Sequence, residues 1–397
     1  MRLMFVASAL DCGGAERHTL ELASALSARG HSCDLVAMQP ARDDRWVRSL
    51  TDARPDNLPL RLVTLDARHQ FDGHAVRRLC TELRQRQPHV VMAVNGYPLI
   101  HAARAVRAAG FAATQRPALA LAFHSTRLTG AKELLQHVFV TLIARHCDQL
   151  VFVSEFQSSH WLRRGLRARR NAVIHNGVAD GCFAPSVRTQ WRAATRTALG
   201  FHDDDYVLGC CAQLRPEKNH VQLIDAVIAL RREGIAARAL IVGEGPQRLL
   251  IEGYAQAHGA SALVILVGHQ NQVERYIAAF DVGVLCSVAE TFSLAALEQM
   301  SMGVPVVLSE QGGAREMVID GVQGFVFPTG DTPALVDVLR RLHPLDARAR
   351  MGAQAAQQVA TRFRHAHMVD RYEALFESLS RARASHTFSA AQDWVVR

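Results

Sequence analysis

Two glutamates, Glu290 and Glu298, lie in an otherwise apolar stretch of the chain, "CSVAETFSLAALEQMSMGVPVV". Residues 293–302 are rich in Ala and Leu and are followed by Gly303, a composition that predicts a helix ending at that glycine. Glu298 would then lie inside a helix whose apolar pattern predicts burial. Because a buried carboxylate without a partner is costly, Glu298 is predicted to need a polar partner.

The spacing of these two acids argues against glycoside hydrolysis. That reaction needs two carboxylates about 5 to 10 Å apart across one bond, whereas eight helical residues span about 12 Å and Glu290 lies before the predicted helix. We interpret the acids as separate contacts, with the helix start "TFSL" between them directed at an anion. Glu298 would accept hydrogen bonds from paired hydroxyls such as those of a ribose, and Glu290 would meet a group beyond the phosphates. A sugar nucleotide has this arrangement of groups.

Two cations follow an apolar run in "AQLRPEKNH", residues 212–220. Arg215 can form a bidentate fork and Lys218 can act as a point charge, and together they suit a diphosphate. The alternative is an ordinary charged loop at the surface.

Glycines follow two other strand-like runs. In "DCGGAERH", residues 11–18, Gly13 and Gly14 permit a tight turn at the start of a helix, where free N–H groups attract phosphate. This turn lacks the third glycine of a dinucleotide fingerprint, and "VGEGPQR", residues 242–248, reaches only G-x-G before a proline. A nicotinamide cofactor is therefore disfavoured, and a Walker loop is missing from the sequence.

Thirteen apolar runs, seven in the first half of the chain and six in the second, alternate with helical patterns, which is typical of βαβ units and parallel sheets. At 397 residues the chain is too long for one ordinary core. A seam at about residues 180–204 interrupts the strand pattern. We predict an α/β fold of two doubly wound, Rossmann-like domains, residues 1–185 and 186–365, followed by a helix and polar tail over 366–397. Ligands of such sheets bind at the carboxyl ends of the strands.

Positive charge is concentrated in the first half of the chain. Residues 1–190 contain 25 Lys and Arg against 15 Asp and Glu, whereas the remainder contains 20 against 22. The run "WLRRGLRARR" places Arg163, Arg164 and Arg167 together. These arginines either form a solvated helix face or contact an anionic membrane or a phosphate-bearing acceptor. Nucleic acid is a poor partner, because aromatic residues are sparse and a recognition motif is missing.

The remaining composition predicts a cytosolic protein. Eight scattered cysteines without a C-x-x-C pair indicate reduced thiols. The amino-terminal apolar run is short and is interpreted as a first strand rather than a signal peptide. Every apolar window is shorter than a membrane span requires.

Taken in order, "GGAER", "SEFQSSHWL", "VIHNGV", "LRPEKNH", "VGEGP", "ETFSLAALE" and "GVPVVLSEQGGAREMV" resemble family 4 of the retaining glycosyltransferases, which have the GT-B fold. The resemblance covers residues 1–365. It implies that the first domain binds the acceptor and the second the nucleotide sugar.

The resemblance also implies roles for individual residues. Glu298 would hold the ribose, Glu290 the hydroxyls of the donor sugar, and Arg215 and Lys218 the diphosphate. The remaining implied donor contacts are the backbone at Phe292, Ser293 and Leu294, the close approach of Gly14 to the phosphates, and His124 in "AFHSTR" on the donor sugar. His124 has an ordinary structural alternative, since a single histidine at a strand end is often part of the packing.

The sequence departs from the family pattern at two places. Many members carry Arg-Leu five residues before the lysine, where this chain has Gln213 and Leu214. Arg215 is expected to substitute for the missing arginine. The glycine that commonly follows the phenylalanine is Ser293 here.

The expected activity is transfer of a sugar, with retention and without a metal ion or cofactor, from a nucleoside-diphosphate sugar to an acceptor hydroxyl. The acceptor is expected to be a lipid-linked or polysaccharide precursor in cell-envelope glycan synthesis, at the inner face of the membrane. The alternatives are a sugar-nucleotide hydrolase and a non-catalytic sugar-nucleotide-binding protein. The base, the sugar, the acceptor and the oligomeric state stay open.

Overall fold

A computed structural model of the chain describes residues 1–10, 13–41, 60–69, 71–125, 131–179 and 181–385. The chain divides into two compact units. The first comprises Met1–His175 together with Met368–Arg397, and the second comprises Asn176–His367.

Within the described residues, the first unit contains a seven-stranded parallel sheet in the order β3-β2-β1-β4-β5-β6-β7. Its strands are β1 (Arg2–Ala7), β2 (Ser32–Ala37), β3 (Leu60–Thr64), β4 (Val90–Val94), β5 (Ala118–Phe123), β6 (Gln149–Phe152) and β7 (Arg170–Val173). Its helices are α1 (Gly14–Ala28), α2 (Gly73–Arg86), α3 (Gly96–Ala108), α4 (Ala131–Ala144) and α5 (Glu155–Arg163).

The second unit, described from 176 to 179 and from 181 onwards, contains a six-stranded parallel sheet in the order β10-β9-β8-β11-β12-β13. Its strands are β8 (Tyr206–Cys211), β9 (Ala237–Val242), β10 (Val264–Leu266), β11 (Val282–Leu285), β12 (Val306–Ser309) and β13 (Gly324–Phe327). Its helices are α6 (Pro185–Ala198), α7 (His220–Arg232), α8 (Arg248–Ala257), α9 (Val273–Ala278), α10 (Leu294–Ser301), α11 (Ala314–Met317), α12 (Thr332–Arg341) and α13 (Leu345–Arg362). The last helix, α14 (His365–Ser385), starts in this unit and belongs to the first unit from Met368 onwards.

The strands are continuous apolar runs because both faces of each sheet are covered. In β1, Leu3 and Phe5 belong to one core cluster, whereas Met4 and Val6 belong to another. Successive side chains of a strand point to opposite faces, so these two clusters are the cores above and below one sheet. All thirteen predicted strand runs are strands in the structure, and the predicted pair of doubly wound domains is confirmed.

The structure divides the chain ten residues before the predicted boundary at 185/186. Val178 forms a bridge with Arg364, and the backbone of Arg364 lies so close to Gly177 that a Cβ atom there would be 2.7 Å from its carbonyl oxygen. These contacts attach the segment after His175 to the second unit. The predicted seam also contains α6, which packs against α9.

The predicted separate segment 366–397 is corrected as well. Met368, Val369, Tyr372, Phe376 and Leu379 recur at helical spacing and are buried in the same core as Leu3 and Phe5. The helix therefore completes the first unit, because its apolar stripe covers one face of that sheet. The predicted polar tail beyond residue 385 lies outside the described residues.

Among the described residues, the structure contains no helix with the length and hydropathy that crossing a membrane requires.

Candidate active site

The candidate residues of the second unit lie at the carboxyl end of its sheet, where the strand order reverses between β8 and β11. Such a switch point leaves a crevice between the loops that leave the two strands. After β8 the chain turns into a short 3-10 helix, Pro216–Lys218, and α7 begins after Asn219. After β11 the chain runs through Glu290 into α10.

Two glycines hold the loop after β8 against the loop after β9. Gly243 has φ of 150°, and a Cβ atom on it would lie 1.9 Å from the carbonyl oxygen of Ala212. A Cβ atom on Gly245, at φ 158°, would lie 2.6 Å from the carbonyl oxygen of Leu214. The "VGEGP" glycines thus have a packing role, since only glycine allows the two backbones to approach this closely.

Lys218 and Glu290 form an ion pair, with 2.6 Å between Nζ and Oε2. Burial lowers the pKa of Lys218, but the charge and hydrogen bond of Glu290 outweigh that effect, so the pKa is raised. The other carboxylate oxygen of Glu290 accepts a hydrogen bond from the backbone N–H of Thr291 at 3.2 Å. The two loops are also joined directly, because the N–H of Val288 donates to the carbonyl of Glu217 at 2.8 Å. The structure therefore brings a cation and a carboxylate together at the crevice.

The start of α10 is built by residues on either side of Ser293. The Ser293 hydroxyl accepts from the N–H of Ala296 at 3.3 Å and caps the helix. The side-chain amide of Asn176 donates to the carbonyl of the buried Phe292 at 2.9 Å, and the N–H of Gly313 donates to the carbonyl of Thr291 at 2.8 Å. Leu294 is the first residue of the helix. These contacts fix the helix start next to Glu290, where its N–H groups favour an anion.

Glu298 lies within α10 and is 5% exposed, as the apolar pattern predicted. It is close enough to the neighbouring strand for its charge to act on Cys211. Burial is the largest cause of the strongly raised pKa of that thiol, and the charges of Cys210 and Glu298 add to it. Since Glu290 precedes the helix, the structure confirms that the two acids belong to different elements.

Arg215 occupies a more open position than Lys218. Its side chain is 54% exposed, and its guanidinium is 3.9 Å from Glu217. It lies one residue before the 3-10 helix that contains Lys218. Arg215 is thus on the same loop as Lys218, and its guanidinium is solvated and weakly paired.

Two candidates belong to the first unit and lie at the carboxyl end of its sheet. Gly14 begins α1 after Gly13, and a Cβ atom on Gly14 would have open space around it. His124 follows β5, and its backbone N–H donates to Oδ1 of the Asn95 side chain at 2.8 Å. Burial lowers the pKa of His124 to about 4, so its ring is neutral at pH 7.

Sequence reasoning missed two neighbours of His124. Asn95 has φ of 68°, in the left-handed region that asparagine tolerates better than most residues, and the Asn-Gly pair at 95–96 was the available signal. His18 is 2% exposed, and its ring centroid lies 4.9 Å from that of His124 and 5.6 Å from that of Tyr372. For His18 the sequence offered no comparable signal, because it is a single histidine within the predicted first helix.

Arg163, Arg164 and Arg167 are exposed at and after the end of α5. Arg164 donates to the carbonyl of His160 at 3.1 Å. The structure therefore places the arginine cluster at the surface of the first unit, as either interpretation of the sequence requires.

Comparisons with known proteins identify the family. Residues 12–180 match the sequence profile of glycosyltransferase family 4, and residues 192–358 match that of glycosyl transferases group 1. The two profiles account for most of the chain, one for each half. The chain belongs to family 4 of the glycosyltransferases.

Curated relatives match over different lengths. EpsD of Bacillus subtilis is 29% identical over 240 residues, which are 60% of this chain and 62% of that protein. The glycogen synthase of Mycobacterium tuberculosis is 28% identical over 374 residues, 88% of this chain and 87% of that enzyme. The chain thus spans less than two thirds of the first of these relatives and most of the second.

A solved structure shows the same fold. The crystal structure of Anabaena HepE in complex with UDP and glucose aligns with a TM-score of 0.80 at 19% identity, covering 95% of this chain and all of that one. The fold is GT-B, as the resemblance implied.

Proposed function

We propose that this chain transfers a sugar, with retention, from a nucleoside-diphosphate sugar to an acceptor hydroxyl. The observation that carries the proposal is the Lys218–Glu290 pair beside the capped start of α10. A diphosphate needs cations and helix N–H groups, whereas a sugar needs hydrogen-bond acceptors for its hydroxyls. The pair supplies one group of each kind at adjoining positions.

The donor contacts are assigned to residues of both units. Glu298 accepts hydrogen bonds from the ribose hydroxyls, and Glu290 accepts from the donor sugar. Lys218 and Arg215 neutralise the diphosphate together with the backbone at Phe292, Ser293 and Leu294. From the first unit, Gly14 approaches the phosphates and His124 contacts the sugar. Support comes from the burial of Glu298, the open space at Gly14 and the neutral ring of His124.

The chemistry proposed is electrostatic stabilisation of a departing diphosphate. Lys218 keeps its charge at neutral pH, since Glu290 raises its pKa despite burial, and Arg215 adds a second cation, a guanidinium, on the same loop. Two cations and a helix start can offset the negative charge that develops as the glycosidic bond breaks. We therefore propose that a metal ion is not required. The acceptor hydroxyl attacks the sugar carbon from the side on which the diphosphate leaves and gives its proton to that diphosphate, which gives retention without a covalent enzyme intermediate.

A UDP-sugar is the first donor to test, because HepE was crystallised with UDP and with UDP-glucose. The acceptor is assigned to the first unit, as a lipid-linked or polysaccharide precursor of a cell-envelope glycan. The chain would act at the cytoplasmic face of a membrane, where such precursors are assembled.

The experiment is a donor screen followed by a turnover assay. UDP-, GDP- and ADP-sugars are compared by thermal shift, and a donor at 100 times its Kd should stabilise the protein by about 2.7 kcal/mol. The selected donor is then incubated with and without candidate acceptors. Release of nucleoside diphosphate only when an acceptor is present supports the transferase. Release without an acceptor indicates a hydrolase, and binding without release under every condition indicates a non-catalytic protein.

A further inference from the structure

An apolar face lies exposed on the first unit. It consists of Phe71, Val138, Phe139 and Leu142, whose exposed fractions are 50%, 51%, 41% and 51%. Leu142 lies three positions after Phe139 and four after Val138, so the three residues share one side of α4, because residues three and four positions apart on a helix are neighbours. Phe71 lies before α2 and joins them through an edge-on ring contact with Phe139, at 5.8 Å between centroids. Exposed aromatic and aliphatic side chains in contact with one another mark an interaction site.

Arginines flank this apolar face on both sides. Next to Phe71, the exposed Arg104 donates to its backbone carbonyl at 3.1 Å. At the end of α4 the chain continues into the exposed Arg145. We call Arg104, Arg145, Arg163 and Arg164 the basic rim.

The other side of α4 connects the face to the arginines of α5. The ring centroid of His137 lies 4.5 Å from that of Trp161. Burial lowers the pKa of His137, and the nearby charge of Arg164 lowers it further. His137 directly precedes Val138, so Arg164 lies near the turn of α4 that contains Val138.

We propose that the apolar face enters the interfacial region of an anionic lipid bilayer, with the basic rim contacting the headgroups. Apolar side chains surrounded by arginines match the acyl chains and the charge of such a surface. A second copy of the chain fits less well, because a symmetric dimer through this face would bring the two basic rims together. The inference concerns a surface outside the donor site and does not depend on transferase activity.

The first test uses co-sedimentation of the full chain with vesicles in the absence of any donor. Wild-type protein should bind phosphatidylglycerol vesicles at least tenfold more tightly than phosphatidylcholine vesicles at 0.1 M salt. Phe139→Gln with Leu142→Gln keeps every charge and should weaken binding to the anionic vesicles at least tenfold. Arg163→Gln with Arg164→Gln should weaken it too. The matched control is Leu249→Gln with Leu250→Gln, two exposed leucines of the second unit, which should bind as the wild type does.

The second test asks whether the face reaches the acyl chains. Phe139→Trp introduces an indole into the apolar face, and Leu249→Trp introduces one at a control position that is 82% exposed. Phosphatidylglycerol with brominated acyl chains should quench at least half of the fluorescence added by the tryptophan at 139. The fluorescence added at 249 should not change.

Three outcomes would overturn the proposal. Wild-type protein could fail to bind both kinds of vesicle, or the Phe139→Gln, Leu142→Gln variant could bind as the wild type does. Binding without quenching at position 139 would mean that only headgroups are contacted. If the wild-type protein binds neither kind of vesicle but forms a concentration-dependent dimer, and Phe139→Gln with Leu142→Gln abolishes that dimer, the face would be assigned to a second copy of the chain. Each outcome is measured without donor or acceptor, so failure here is distinct from failure of the proposed transferase.

Discussion

At the scale of single residues, the site combines one partly buried ion pair with one buried acid. Lys218 and Glu290 form an ion pair at 2.6 Å, and their side chains are 22% and 23% exposed. A bound donor would replace this mutual contact by two new ones, diphosphate to lysine and sugar hydroxyl to glutamate. The pair therefore holds both charged groups at the site before the ligand arrives, and binding exchanges their mutual contact for contacts with the donor.

Removal of the lysine charge should act mainly on turnover. We expect Lys218→Ala to reduce kcat at least 100-fold, which is the scale for losing one preorganised electrostatic contact to developing charge. Arg215→Ala should reduce kcat less, because its guanidinium is largely solvated. Steady-state kinetics at saturating donor measures both effects, with Arg232→Ala at the exposed end of α7 as a control. Near-normal turnover in Lys218→Ala would mean that the loop is only a charged turn.

Removal of the Glu298 charge should act on donor affinity. Glu298→Gln keeps the shape of the side chain and replaces an anionic acceptor by a neutral amide. Hydrogen bonds to charged groups contribute about 1.5–3 kcal/mol, so the donor Kd should rise about 10- to 150-fold by calorimetry. Glu252→Gln, on the surface of α8, is the matched control and should leave the Kd unchanged. Unchanged affinity in a folded Glu298→Gln protein would remove the ribose assignment.

At the scale of elements, Ser293 explains a departure from the family pattern. Many family members have glycine at this position, and here the hydroxyl caps α10. Both residues are compatible with an extended helix cap, but only serine adds a hydrogen bond to a free N–H group.

The cap leads to a prediction for two substitutions at Ser293. Ser293→Ala should lower the free energy of unfolding of the second unit by about 1 kcal/mol, and Ser293→Gly by only a few tenths. Donor affinity should survive in the glycine variant, because the helix start keeps its backbone N–H groups. Chemical denaturation and calorimetry of the two variants measure these effects. Equal stability of Ser293→Ala and wild type would show that the cap contributes nothing.

At the scale of the whole molecule, the chain leaves the first unit at His175 and returns to it in α14. Phe376 of that helix is fully buried, and its ring meets Phe5 of β1 at 6.1 Å between centroids. The first unit is thus built from two separate segments of the chain, and its core joins residues more than 350 positions apart.

Loss of this contact should unfold the first unit preferentially. Phe376→Ala removes a buried ring and should cost about 3–5 kcal/mol. Arg381→Ala, on the exposed side of the same helix, should cost less than about 0.5 kcal/mol. Denaturation with a probe in each unit checks this prediction. If the ring loss destabilised the second unit instead, the assignment of α14 to the first unit would be wrong.

Sequence alone determined the features that depend on neighbouring residues. Short apolar runs between helical patterns predicted all thirteen strands, since the local composition indicates both strand formation and burial on both faces. The burial of Glu298 followed from the apolar residues around it, and the motif order identified the family.

Tertiary structure decided what depends on distant residues. The boundary at 175/176, the return of α14, the Lys218–Glu290 pair and the joining of Phe71 to α4 are contacts between segments far apart in the chain. The hydrophobic periodicity of a segment predicts which of its faces is buried. It does not predict which other segment packs against that face, because packing between elements is set by the complete three-dimensional arrangement.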